Sequence, residues 1–273
     1  MNRSTNQGSP SIVLTRPVAQ SEALERRLKQ SGYSVTLFPL LEIAALPEKS
    51  VEQVKLDATL ANLANYAMAA FVSPNAIHAV FQRAAASRRD FSWPTNVKIA
   101  VMGEGSRAAL ASHGINGENA RIFYPSDARR SDSETLLENL DLASLMGKKC
   151  VIFRAETGRE LLADALTGKG VHVDKVLAYR RFAPQLTAQT GQQLIELMSE
   201  PTCWVVSSSE ALRTLLDMVE RSAGEAGVVK IHQVNLWVSH QRIAETAKNS
   251  GFKHIQLIGS GDENVLLALQ SHL

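Results

Sequence analysis

The chain has 273 residues, of which 45% are hydrophobic and 21% are charged, and this composition excludes a disordered protein. The length predicts two domains of about 100 to 150 residues each. Lysine and arginine outnumber aspartate and glutamate by only 29 to 27, which excludes nonspecific binding of nucleic acid through net charge, so any anion site must be local.

The first ten residues are polar and contain no apolar segment like that of a secretory signal. Since the longest apolar runs, such as 67–72, are too short to span a bilayer, we expect a cytoplasmic protein without a membrane segment. Cys150 and Cys203 each lie in an apolar, strand-like run, as buried thiols do in a reducing compartment. Without a CxxC or HExxH pattern, we expect no metal site.

Short β-branched runs alternate with amphipathic segments throughout the chain. The strand-like runs are 12–15, 35–38, 69–72, 97–102, 121–124, 150–153, 171–179, 203–206, 234–238 and 254–258. A helical pattern is clear in 19–30, with Gly32 as a stop signal, and segments 159–167 and 243–249 repeat this design. This alternation predicts an α/β fold of parallel sheets covered by helices on both faces.

Landmarks of the first half recur after about 135 to 140 residues, which indicates two related halves. The corresponding segments are 14–16 with 152–154, 72–76 with 206–211, and 103–114 with 240–251. In the first of these pairs Arg16 corresponds to Arg154, and both follow a strand. The recurrence predicts that equivalent turns of the two halves serve the same purpose.

Two outer strands, each with a proline nearby, could pair as a bridge. In that arrangement the chain leaves a first lobe, completes a second lobe and returns to finish the first. We therefore predict a first lobe of 1–38 with 184–273, a second lobe of 46–172, and bridging strands at 39–45 and 173–183. The two crossings would form a hinge beside a cleft between the lobes.

The turns that follow the strands share hydroxyls, backbone donors or arginine. In doubly wound sheets ligands collect beyond the carboxyl ends of the strands, where helix N termini present unpaired N–H groups. The candidate binding residues are Arg16, Ser73, Asn75, Gly103, Ser106, Arg154, Ser208, Ser209, Ser239 and Arg242. The alternative is that the serines and Asn75 only cap helices and that the arginines form exposed ion pairs. Repetition in both halves favours the binding of an acidic ligand.

One glycine pattern, Gly103-x-Gly105-x-x-Ala108, matches the loose form of a dinucleotide fingerprint. It lies neither at the first strand of its lobe nor ahead of a clear acidic residue at the end of the next strand. A nucleotide-dependent oxidoreductase is therefore a third-ranked hypothesis. The seven histidines are scattered and form no nucleophile–base signature.

Several segments together resemble the uroporphyrinogen-III synthase family. They are LTRP at 14–17, FVSPNA at 71–76, VMGEGSRAAL with ASHGI at 101–115, SDSETLLENL at 131–140, FRAETGRELLADAL at 153–166 and VLAYRR at 176–181. The resemblance covers almost the whole chain, and the order and spacing of the segments are more specific than any one of them. The turn at 238–242 departs from the Gly-Pro-Thr-like turn of many members.

The resemblance implies two flavodoxin-like α/β lobes joined by a two-stranded β-ladder. It also implies a lyase that cyclises hydroxymethylbilane, a linear tetrapyrrole with eight carboxylates, with inversion of ring D and loss of water, and without metal or organic cofactor. The implied course passes through an azafulvene and a spiro intermediate. Tyr179 matches the bridge tyrosine of the family, and we hypothesise that its hydroxyl donates to the departing hydroxyl; the alternative is a tyrosine that only packs the bridge.

A different class of function stays open, namely a noncatalytic two-lobed binder or sensor of an acidic metabolite. For the enzyme we expect a small-molecule substrate, a possible hand-over from the enzyme that makes hydroxymethylbilane, and a monomer. We expect neither a nucleic acid nor a membrane as partner.

Overall fold

The computed structural model describes residues 11–87, 91–125, 133–156 and 160–271. The strands are β1 Ser11–Leu14, β2 Val35–Leu37, β3 Glu42–Ala44, β4 Met68–Phe71, β5 Lys98–Val101, β6 Ile122–Phe123, β7 Lys149–Arg154, β8 His172–Leu177, β9 Arg180–Phe182, β10 Thr202–Val206, β11 Asn235–Val238 and β12 His254–Leu257. The helices are α1 Val18–Gln30, α2 Val51–Ala61, α3 Pro74–Ser87, α4 Glu104–Ser112, α5 Ser133–Glu138, α6 Leu161–Gly168, α7 Ala188–Leu197, α8 Ser209–Ile231, α9 Gln241–Asn249 and α10 Asp262–Gln270. The chain divides into a first unit, 1–42 with 182–273, and a second unit, 43–181.

The first unit contains a five-stranded parallel sheet in the order β12-β11-β10-β1-β2. Its two faces carry separate cores, one under α7, α8 and α9 and the other under α1 and α10. Trp204 in β10 is fully buried and meets the Phe38 ring edge-on at 5.9 Å between centroids. Because both faces of the sheet are covered, its central strands are apolar at nearly every position rather than at every second one.

The second unit contains another five-stranded parallel sheet, in the order β6-β5-β4-β7-β8. All four residues of β4 are buried, and Phe71 stacks on Phe153 of β7 at 5.2 Å and packs against Trp93 at 5.9 Å. Helices α2, α3 and α4 pack on the Phe71 face, and α5 and α6 cover the other. The predicted α/β class, with parallel sheets covered on both faces, is confirmed.

The two sheets have the same strand order once β10, β11 and β12 are matched with β4, β5 and β6, and β1 and β2 with β7 and β8. Numbered along the chain, the first sheet reads 2-1-3-4-5, which is the flavodoxin-like order, and the second is its circular permutation. The matched strands are those whose ends carry the recurring segments of the sequence. The internal recurrence therefore has a topological counterpart.

The bridging ladder is shorter than predicted and consists of β3 paired with β9. The first five residues of the predicted bridging strand 173–183 instead belong to β8, which pairs with β7 from Lys149↔His172 to Arg154↔Leu177. At the other predicted bridging strand, 39–45, the Leu40 amide donates to the Thr15 carbonyl at 3.0 Å and Leu40 is fully buried in the first unit. Backbone pairing and burial thus place residues 173–177 in the second unit and Leu40 in the first, which leaves β3 and β9 for the ladder.

Both cysteines are free and buried, and burial raises the pKa of the Cys150 thiol to about 11 and also raises that of Cys203. Among the described residues no group of three or more histidine, cysteine or acidic side chains is placed to hold a metal ion. Of the helices in the described ranges, none has the length and apolarity needed to cross a membrane.

Two histidines pack together between α3 and the end of α4. His78 Nδ1 lies 3.0 Å from His113 Nε2, and the His113 ring stacks on Phe81 with centroids 4.9 Å apart. Burial and the neighbouring His78 lower the pKa of His113 below its usual 6.5. The unfolded chain therefore takes up a proton at His113 more readily than the folded protein does.

This pair predicts a loss of stability in mild acid. Well above pH 6.5, the lowered pKa of His113 should not affect the free energy of unfolding. That free energy should fall as the pH drops through 6.5 toward the lower folded-state pKa of His113. Thermal midpoints measured between about pH 5 and 8 should show a weaker pH dependence in His113→Gln than in the unchanged chain. The exposed His172 supplies the control, because His172→Gln should keep the original dependence. Equal slopes in all three proteins would contradict the prediction.

Candidate functional site

The strand order fixes where each sheet offers a binding crevice. Chain connections leave in opposite directions from β1 and β10 in the first unit, and from β7 and β4 in the second unit. Ligands of doubly wound sheets bind at such a switch point, beyond the carboxyl ends of the strands. The predicted residues Arg16 and Ser208 follow β1 and β10, and Arg154 and Ser73 end or follow β7 and β4.

In the second unit Arg154 is buried, with 7% of its surface exposed, and is bound on several sides. Its Nε donates to the Ala155 carbonyl at 3.2 Å, and its Nη1 donates to Glu160 Oε1. Lys175 Nζ donates to the other oxygen of Glu160 at 3.0 Å. Hydrogen bonds from Arg154 and Lys175 hold the pKa of Glu160 below its usual value. The end of β7 is thus a charged network with more cations than anions.

Ser73 and Tyr179 meet at the same end of this sheet. Tyr179 has only 3% of its surface exposed, and its hydroxyl oxygen lies 3.1 Å from Ser73 Oγ. Ser73 Oγ also accepts the Ala76 amide at 3.2 Å in the first turn of α3, so Ser73 both caps the helix and contacts the tyrosine. Asn75 lies in the same turn and is half-buried. Tyr179 therefore packs in the core and also reaches the candidate site with its hydroxyl.

In the first unit the ends of β1 and β10 are tied together. The buried Thr15 hydroxyl donates to the Val205 carbonyl at 2.7 Å. Arg16 Nη2 lies 2.7 Å from Asp262 Oδ1, in an ion pair whose side chains are 23% and 28% exposed. Ser208 accepts the Ala211 amide at 3.0 Å and so caps α8.

The remaining predicted residues of the first unit lie near the start of α9. Ser209 Oγ lies 3.2 Å from Thr246 Oγ1, which links α8 to α9. Ser239 is half-buried at the end of β11, and Arg242 is exposed in the first turn of α9. The His240 ring, between them, lies 2.9 Å from Ser260 Oγ through its Nε2.

The Gly103 turn lies away from the switch point, because β5 is separated from β7 by β4. Gly103 is the residue before α4, and its carbonyl accepts the Ser106 amide at 3.1 Å. Ser106 has only 3% of its surface exposed and lies on the buried face of α4 with Ala109 and Leu110. The helical spacing of these three residues shows why the serine points inward.

Sequence reasoning missed the acidic partners of the two equivalent arginines, Asp262 and Glu160. Asp262 begins α10 directly after Gly259-Ser260-Gly261, a turn followed by acidic residues that is a recognisable helix start. The pairing with Arg16 has no sequence signal, since 246 positions separate the two residues. These partners show that each arginine is already engaged within its own unit.

The donors at each switch point suit anions better than neutral ligands. Helix N termini at α3 and α8 present amides beside hydroxyls, and each unit adds one arginine. Charge-assisted hydrogen bonds of this kind are the strong ones available to carboxylates. These amides, hydroxyls and arginines favour the binding and folding of an acidic molecule.

Comparison with known proteins gives a family. The protein-family model described as "Uroporphyrinogen-III synthase HemD" matches residues 22–257 of this chain. Uroporphyrinogen-III synthase of Escherichia coli K12 is 30% identical over 95% of this chain and 100% of its own length, and that of Salmonella typhimurium LT2 is 31% identical over the same shares.

The fold agrees with solved structures of the same enzyme. A mutant uroporphyrinogen III synthase from the extreme thermophile Thermus thermophilus matches with a TM-score of 0.61 at 13% identity, covering 97% of this chain and 99% of that one. The enzyme from Helicobacter pylori 26695 matches with a TM-score of 0.59 at 14% identity, covering 96% and 100%. With the family model matched over 22–257 and relatives aligned along their whole length, this chain belongs to the uroporphyrinogen-III synthase family.

Proposed function

We propose that this chain cyclises hydroxymethylbilane with inversion of ring D and loss of water, giving uroporphyrinogen III in tetrapyrrole biosynthesis. The observation that carries the proposal is the family match over 22–257. The anion donors at both switch points support it independently, because the substrate is acidic at eight positions.

The chemistry asks the protein for selectivity more than for activation. Loss of the terminal hydroxyl gives an azafulvene, which ring D attacks at its substituted carbon to form a spiro intermediate; fragmentation and reclosure at the other carbon invert the ring. The azafulvene also closes without an enzyme, to the uninverted isomer. An enzyme that holds the reacting ends in one geometry lowers the entropic part of the barrier for inversion alone.

We assign the grip on the carboxylates to residues of both edges. In the first unit these are Arg16, Ser208, Ser209, Ser239 and Arg242, and in the second unit Ser73, Asn75, Gly103 and Arg154. These residues act as fixed donors that bind the substrate carboxylates before the reaction begins. Ser106, in the first turn of α4, is assigned to the same group in the second unit. Tyr179 is assigned the hydrogen bond to the departing hydroxyl, with Ser73 as its neighbour.

Product analysis tests the activity directly. Hydroxymethylbilane generated in the presence of this protein should yield uroporphyrinogen III, with type I reduced to the share set by spontaneous closure. Product of type I alone would refute the proposal, and binding of the tetrapyrrole without turnover would favour the noncatalytic binder.

We further propose a cytoplasmic monomer that receives its substrate by hand-over from the enzyme that makes it. The free, buried thiols of Cys150 and Cys203 support a reducing compartment. Spontaneous closure of the substrate makes a short transfer useful. Sedimentation of the purified protein, alone and mixed with that enzyme, measures both assembly states, and a stable dimer of this chain would contradict the monomer.

A further inference from the structure

The loop between β12 and α10 contacts two turns of the candidate site in the first unit. We call Gly259–Asp262 the strap. Ser260 Oγ lies 2.9 Å from His240 Nε2, after β11, and Asp262 Oδ1 lies 2.7 Å from Arg16 Nη2, after β1. Strand β10 lies between β11 and β1 in the sheet. The strap is therefore fastened to the turns of both strands that flank β10.

Two glycines shape the strap. Gly259 has φ 84° and Gly261 has φ 93°, in the left-handed region that side chains disfavour. Asn264 Nδ2 donates to the Ser260 carbonyl at 2.6 Å, which holds the turn onto the first residues of α10. The backbone thus delivers the Asp262 carboxylate to the end of β1, beside the switch point of the first unit.

The position of the ion pair between Arg16 and Asp262 allows a ligand carboxylate to replace Asp262. Its side chains remain 23% and 28% exposed, so water reaches both groups and screens their attraction. Ion pairs that water reaches contribute little to folding. An incoming carboxylate that is also held by neighbouring helix amides can compete with Asp262 for the guanidinium.

We propose that Asp262 is a positioning residue that occupies Arg16 and gives it up to one carboxylate of the tetrapyrrole when substrate binds. This inference rests on the proposed function and adds a defined acceptor for one of the substrate's carboxylates. As a competing anion, Asp262 lowers the affinity of the protein for the tetrapyrrole. Its role is to hold Arg16 oriented toward the edge of the sheet. A purely structural Asp262 would instead raise affinity by ordering the strap.

The chain offers a matched control in the next residue. Glu263 pairs with Arg27 through both its oxygens, at 2.6 and 3.1 Å, on the more exposed part of α1. Arg27 lies in the second half of α1, away from the end of β1. Glu263→Gln therefore removes a neighbouring acid–arginine pair without touching the candidate site.

The test measures the dissociation constant for uroporphyrin III, the stable oxidised form of the product, and the KM for hydroxymethylbilane. Asp262→Asn should lower both by about two- to fivefold, the range that loss of one competing, water-accessible ion pair allows. Arg16→Ala should raise both, and adding Asp262→Asn to Arg16→Ala should change nothing further. Glu263→Gln should leave both constants unchanged.

Unchanged or weaker binding by Asp262→Asn would overturn the inference, as would an equal gain in the Arg16→Ala background. Asp262→Ser gives the same reading if the asparagine variant does not fold. The isomer assay on the unchanged chain distinguishes failure of the proposed function from failure of the role of Asp262. Product of type I alone removes the proposed function, whereas type III product with no gain in Asp262→Asn removes only the role of Asp262.

Discussion

Replacing Arg154 by alanine should raise the KM for hydroxymethylbilane about 10- to 100-fold, the loss expected for one charge-assisted hydrogen bond to a carboxylate. Arg154 is the buried cation at the switch point of the second unit. Without it, the Glu160 carboxylate keeps Lys175 as its partner and the network at the end of β7 loses its excess of positive charge. Steady-state kinetics of the variant measures the effect.

Affinity and folding can be separated in this experiment. The Glu160 side chain is 45% exposed and stays hydrated when Arg154 is removed, so the variant leaves no buried carboxylate unpaired at Glu160. Arg83 provides the control, because it forms a two-hydrogen-bond pair with Asp57 between α2 and α3 of the same unit. Arg83→Ala should leave KM unchanged. A KM shift no larger in Arg154→Ala than in Arg83→Ala would show that Arg154 does not bind the substrate.

The α/β class could be predicted because its cause is local. Strands buried on both faces must be apolar along nearly all of their length, as 68–71 and 203–206 are, and the helices between them must carry one apolar stripe. The correspondence of Arg16 with Arg154 in the sequence also predicted that the two residues lie at equivalent positions in the two sheets. They do, because they lie at the ends of the matched strands β1 and β7. Periodicity and order along the chain were sufficient for this level.

Partners distant in the sequence could not be predicted in the same way. The contact of Arg16 with Asp262 depends on how α10 returns to the end of β1, and that of Tyr179 with Ser73 depends on where the chain turns after β8. The predicted length of the bridging ladder differs from the observed length for the same reason. Alternation marks 171–179 as extended, but only the neighbouring strand decides which residues pair.

Ser106 shows a different limit, because its sequence did carry the decisive signal. Ser106, Ala109 and Leu110 share one face of α4, and the last two are apolar. A serine on the buried stripe of a helix faces the core even when it follows a glycine-rich turn. Position on the helix thus distinguishes Ser106 from Ser73 and Ser208, which cap their helices at the edge of the sheet.

Replacing Tyr179 by phenylalanine should lower kcat about tenfold, the effect of losing one hydrogen bond of about 1.4 kcal/mol to a departing hydroxyl, with little change in KM. The share of type I product should rise, because slower turnover leaves more substrate to close spontaneously. Kinetics combined with separation of the product isomers measures both effects. Tyr66 is the matched control: its hydroxyl donates to Asp174 at 2.7 Å in the same unit, and Tyr66→Phe should leave both values unchanged.

The contact between Ser73 and Tyr179 allows the tyrosine to donate to the substrate. Ser73 Oγ accepts the Ala76 amide and lies 3.1 Å from the Tyr179 oxygen, and either hydroxyl can donate across that distance. With Ser73 as the donor, the tyrosine keeps its O–H for the substrate. Ser73→Ala should therefore lower kcat in the same direction as Tyr179→Phe, and the double variant should be no slower than the slower single one. Unchanged turnover and isomer ratio in Tyr179→Phe would leave the tyrosine only its packing in the core of the second unit.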